Sequence, residues 1–125
     1  MPITFQIDVD QNLILTTASG TLTDEDVLGL KTQLVQHPDF RLGMGELSDI
    51  RNIDRLAVTP AGVRAMVQQD KDHQDHVASH KLALVISEDV AFGMARMYQM
   101  LTESTMENVG VFRDLDEAKA WLQVG

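Results

Sequence analysis

The sequence predicts an α/β fold: a five-stranded mixed sheet, antiparallel at its N-terminal edge, with about four helices in the order β-β-α-β-α-β-α-β-α. Three patterns carry this expectation. The opening segment alternates apolar and polar residues, Leu82-Ala83-Leu84-Val85-Ile86 is apolar throughout, and apolar stripes at helical spacing separate the later strands. Alternation marks a strand with one wet face, whereas a short unbroken apolar run marks a strand covered on both faces. Helices lying between strands imply parallel pairing with right-handed crossovers.

Ile3, Phe5, Ile7 and Val9 alternate with Thr4, Gln6, Asp8 and Asp10, which predicts the first strand. Asp10-Gln11-Asn12 supplies a turn, Leu13 to Ala18 returns as its antiparallel partner, and Ser19-Gly20 ends the hairpin. Thr23 followed by Asp24, Glu25 and Asp26 is an N-cap with acids in the first turn, where the positive end of the helix dipole stabilises them. Val27, Leu30 and Leu34 give this helix one apolar face, flanked by Leu28 and Val35, until His37-Pro38 stops it. A short third strand is expected around residues 44–50. Thr59-Pro60 then opens a second helix as N-cap and first helical residue, with Val63, Met66 and Val67 as its stripe.

The all-apolar run 82–86 belongs in mid-sheet. Asp89 is expected to cap a third helix over about residues 90–105, with Val90, Met94, Met97 and Leu101 at helical spacing and Ala91, Ala95 and Tyr98 alongside. Val109, Val111 and Phe112 make the last strand. Asp114-Leu115-Asp116-Glu117 resembles a capping box, and Leu115, Ala118 and Leu122, with Trp121 adjacent, stripe a fourth helix.

The chain has 125 residues, 19 acidic against 10 basic side chains, a formal net charge of −9 and no cysteine. That length predicts a single domain spanning residues 1–125, large enough to fold around one core. Without cysteine there is no disulfide, thiolate nucleophile or Cys-based zinc site. The acidity argues against nucleic acid and anionic membranes as partners. No apolar run approaches the roughly 20 residues of a membrane helix, and Met1-Pro2-Ile3-Thr4-Phe5 lacks the features of a signal peptide, so a cytoplasmic protein without membrane insertion is expected.

Leu47-Ser48-Asp49-Ile50-Arg51, Phe92-Gly93-Met94-Ala95-Arg96-Met97-Tyr98 and Val111-Phe112-Arg113-Asp114-Leu115-Asp116-Glu117-Ala118, together with the element order, resemble the STAS domain of bacterial anti-sigma-factor antagonists. They are similar in particular to its stand-alone STAS/Sec14-like branch. Sporulation antagonists of this kind carry a phosphorylatable serine in an Asp-Ser-Ser/Thr-Gly motif after the third strand. Here that region reads Asp49-Ile50-Arg51-Asn52-Ile53-Asp54, without the motif, and the nearest hydroxyl, Thr59, is explained by its N-cap position.

No P-loop, dinucleotide-binding glycine pattern, nucleophile elbow or His-Glu-x-x-His occurs, so no enzyme and no cofactor are expected. Three constellations stand out. His73, His76 and His80 would share a face if the second helix continued, a weak candidate for a metal site, but the polar stretch around them reads as a solvated helix end. Asp49 and Arg51 after the third strand, and Glu88 and Asp89 after the fourth, fall at the carboxyl ends of strands, where open α/β sheets place ligands. Arg96 can add a cation there and Tyr98 an aromatic hydroxyl. Met94, Met97, Met100 and Met106 crowd the third helix, and Met100, beside Phe92 and Arg96 by helical spacing, points to a second apolar surface. The resemblance implies a noncatalytic regulatory module acting through a protein partner or self-association as a homodimer. Its Sec14-like side implies the alternative of a carrier or sensor of a small apolar or amphipathic ligand.

Overall fold

The structure, a computed structural model, describes residues 2–73, 80–102 and 108–124. Strands β1 (Ile3–Asp8), β2 (Leu13–Ala18), β4 (Gly45–Asp49), β6 (Lys81–Val85) and β7 (Asn108–Phe112) form a sheet in the order β1-β2-β4-β6-β7. β1 is the antiparallel edge, and every other neighbouring pair is parallel. β6 lies between β4 and β7, and Leu82 and Ala83, which face opposite sides, are both buried. This is the mixed sheet that the hairpin and the apolar run predict.

Two further strands, β3 (Gly20–Thr23) and β5 (Ile53–Ala57), pair in parallel as a separate small sheet. The sequence pattern shows neither, because Ile53-Asp54-Arg55-Leu56-Ala57 does not alternate and β3 has only four residues. Each is the continuation of a main-sheet strand: the chain bends at Gly20, whose φ of +68° is left-handed, and at Arg51-Asn52. Leu22, Ile53 and Leu56 then cover the end of the core that the main sheet leaves open.

Helices α1 (Asp24–Gln36), α2 (Pro60–Asp72) and α3 (Asp89–Leu101) pack on one face, with Ile14, Ile50, Leu82 and Ile86 beneath them. Among the described residues, helix α4 (Leu115–Leu122) alone covers the other face, setting Ala118 and Trp121 against Leu13, Leu47, Ala83 and Val85. The expected caps at Thr23 and Thr59 form, the first as a reciprocal capping box with Asp26. Asp114 caps α4 by accepting from the Asp116 N–H, without that reciprocal bond.

Helix α3 differs from expectation in two ways. Glu88, not Asp89, is its N-cap, because the Asp89 carboxylate turns outward to Arg113. Its buried face is Ala91, Ala95 and Tyr98, while Val90 and Leu101 are exposed. The alanines carry no bulk, so the backbone can lie close against Ile50 and Ile86. Residues 103–107, including Met106, lie outside the described residues.

The starts of α1 and α2 are joined. The Asp24 carboxylate accepts from the Thr59 backbone N–H at 2.9 Å and from its hydroxyl at 2.7 Å. It can do so because residue 62 is glycine: an added Cβ would lie 1.9 Å from Asp24 Oδ1. Gly62→Ala should therefore expel Asp24 and destabilise the protein by about 1 kcal/mol in denaturant unfolding. In an Asp24→Ala background the same change should stabilise by about 0.5–1 kcal/mol, the ordinary helix preference for alanine.

Candidate functional site

Between the sheet and α1–α3 lies a cavity of about 120 Å³. It is of the same order as the roughly 150 Å³ void in which a folded protein holds benzene. Its walls are aliphatic, from Leu30 of α1, Val63 and Met66 of α2, Leu84 of β6, and Met94 and Ala95 of α3. Four polar side chains also line it, Lys31, Glu46, Ser48 and Tyr98. Glu46, Ser48 and Ile50 reach it together because side chains two apart on a strand share a face.

These polar groups belong to two buried networks. In the first, Asp70 of α2, 0% exposed, receives Lys31 Nζ from α1 at 2.9 Å and the Tyr98 hydroxyl from α3. In the second, Glu46 on β4 accepts from Thr16 Oγ1 on β2 at 3.0 Å and meets His80 Nε2 at 3.4 Å. Burial pushes the Glu46 pKa up, but the His80 hydrogen bond and charge, the Lys31 charge and the Thr16 hydroxyl outweigh it and hold the group below its ordinary value. Ser48 is 5% exposed and faces the cavity, and its hydroxyl has no hydrogen-bond partner among the described residues.

A second group of side chains sits at the carboxyl ends of the parallel strands. Arg51 grips Asp49 through two bonds of 2.8 Å, which hold the Asp49 carboxyl below the usual range. The Arg51 carbonyl accepts from Ser87 Oγ at 3.2 Å. Arg113 donates to the Ser87 carbonyl at 3.1 Å and to Asp89 at 2.9 Å, with its guanidinium 4.3 Å from the Phe92 ring centre. The ends of β4, β6 and β7 are thus linked through Asp49, Arg51, Ser87, Asp89 and Arg113. Arg113 is missing from the sequence-derived set, although its place just after the last strand matches that of Arg51 after β4.

The other predicted residues separate. Tyr98 is buried and points inward to Asp70 and the cavity, not to the strand ends. Arg96 is exposed and donates to Gln99 at 3.1 Å on its own helix. Met100 is 66% exposed on the outer side of α3. His73 is the C-cap of α2, with Nδ1 2.9 Å from the Gln69 carbonyl, whereas His80 is buried beside Glu46. His76 lies outside the described residues, and no three metal-binding side chains cluster among those described.

Asp70 departs from the reading of the polar stretch around His73 as a solvated helix end, since it is fully buried. Its signal is positional: Val63, Val67 and Asp70 lie on one helix face.

Because Glu46 has a lower pKa folded than unfolded, it contributes stability that is complete above the unfolded value, about 4.3. That contribution is lost as the pH falls through the lower folded value. Glu46→Gln should destabilise the protein by about 1–3 kcal/mol at pH 7. It should also flatten this acid limb, measured by urea unfolding at a series of pH values from neutral downward.

No family model and no curated protein matches this sequence. Among solved structures, it is similar to an uncharacterised DUF3478-family protein from Shewanella loihica PV-4, described as having a SpoIIAA-like fold. The two share 20% identity at a TM-score of 0.60, over 96% of this chain and 93% of the other. An alignment of that extent joins the topology already described to a known architecture: this chain has the SpoIIAA-like, STAS-like fold.

Proposed function

We propose that this chain is a noncatalytic STAS-type module that binds a small, mostly apolar molecule in the cavity between the sheet and α1–α3. The cavity is the observation that carries this reading. Protein interiors pack nearly as densely as organic crystals, and a site for a small molecule is a largely apolar hollow with a few placed polar groups. The cavity has both properties, with aliphatic walls and the polar set Lys31, Glu46, Ser48 and Tyr98. Ligand occupancy would be felt by α1, α2 and α3 at once, since all three contribute to its walls. Such a module would serve as a carrier or sensor.

The second reading is regulation through a protein partner or self-association. It is favoured by Val90, Met100 and Leu101, which are respectively 67%, 66% and 39% exposed on the outer side of α3. Asp49, Arg51 and Asp89 would contribute the polar rim of that surface, with the Phe92 ring beside them. Both readings place the protein in the cytoplasm, without nucleic acid or membrane insertion.

Native mass spectrometry of freshly purified protein tests the first reading. A bound small molecule should be released on denaturation and be absent from Ala95→Leu, which fills the cavity from α3. A ligand-free wild type that also fails to take up added apolar probes would overturn the ligand reading. A dimer lost in Met100→Asp would then support the second.

A further inference from the structure

The polar lining of the cavity also selects a head group, an inference that rests on the ligand reading above. Two of the four polar groups are already engaged: Lys31 and Tyr98 both hold Asp70, which lies behind the wall. Glu46 is tied on one oxygen by Thr16 and faces His80 with the other. Ser48 alone is buried, aimed into the cavity and without a hydrogen-bond partner among the described residues. Its hydroxyl is open to the cavity, so a bound molecule carrying a complementary group can pair with it.

Charge narrows the choice. Lys31 is paired with Asp70, and Glu46 is held ionised by His80, with help from the Lys31 charge and the Thr16 hydroxyl. No placement of the His80 proton makes this set net positive, so a carboxylate or phosphate brought beside Ser48 would be a buried anion without a free counter-charge. A cation would bind at Glu46 only by displacing its present partners. A neutral hydroxyl fits: it can accept from Ser48 Oγ while donating its one proton to the acceptor-only Glu46 carboxylate two residues along the same strand face. A carbonyl or ether can accept from Ser48 but offers Glu46 nothing.

We propose that the cavity takes an uncharged aliphatic alcohol, with its hydroxyl on Ser48 beside Glu46 and its chain among Leu30, Val63, Leu84, Met94 and Ala95. Ser48 anchors the head group, and Glu46, an acceptor only, distinguishes a hydroxyl from an ether or carbonyl. No bond is made or broken.

The test compares 1-octanol, methyl octyl ether and octanoate by isothermal calorimetry on wild type and Ser48→Ala. On wild type, 1-octanol should bind at least about fivefold more tightly than either analogue, the discrimination expected of one net hydrogen bond. Ser48→Ala removes an unpaired hydroxyl and is expected to fold normally. It should weaken 1-octanol about fivefold, and the ether, which also accepts from Ser48, by a similar factor. Octanoate binding as tightly as 1-octanol, or 1-octanol affinity indifferent to Ser48→Ala, would overturn the alcohol assignment while leaving the cavity a ligand site. If none of the three probes binds wild type, both the assignment and the ligand reading fail. The wild-type comparison stands even if the variant is unstable.

Discussion

Asp70 holds the three helices of one face to each other. Its carboxylate is wholly buried on α2 and is met by Lys31 from α1 and Tyr98 from α3. A buried carboxylate is tolerated only when opposite charge and hydrogen bonds replace the water it has lost. Any displacement of one helix from the others would strip that replacement away. The relative positions of α1, α2 and α3 therefore answer to one polar contact as well as to apolar packing. Gln69, one residue earlier, reinforces it by donating to the Leu28 carbonyl and the Thr32 hydroxyl of α1.

The cavity follows from this arrangement. The same three helices form its roof, and β4 and β6 its floor. Sheet and helices meet closely where α3 presents Ala91 and Ala95 to Ile50 and Ile86. The floor is polar at Glu46 and Ser48 because β4 places them on the helix side, whereas Leu47 between them packs under α4. A strand in mid-sheet with two polar residues on a buried face is a local conflict between sequence and environment, and such conflicts concentrate at functional sites. Thr16 and His80 resolve it for Glu46, and nothing among the described residues does so for Ser48.

The strand-end group has a different character. Asp49, Arg51, Asp89 and Arg113 are solvent-accessible, and exposed ion pairs contribute little stability. Their effect is geometric. Through Ser87 they join the loops after three parallel strands, so the rim keeps one shape at the place where α/β folds carry recognition surfaces.

Where local patterns are strong, the sequence alone determined the structure. The alternation from Ile3, the apolar run at Leu82, and the caps at Thr23, Thr59 and Asp114 depend on neighbours within a few residues, so main-sheet strands and helix starts could be placed from them. Other features depended on residues far apart. β3 and β5 exist because two strand extensions meet outside the main sheet. The buried side of α3 was decided by how closely alanine lets a helix approach the sheet, which hydrophobicity alone ranks incorrectly. Asp70 reads as one more solvated acid until Lys31 and Tyr98, 39 residues earlier and 28 later, close around it. A carboxylate's charge belongs to the sequence, but its burial is possible only where the folded chain supplies partners, and only the tertiary structure could decide that.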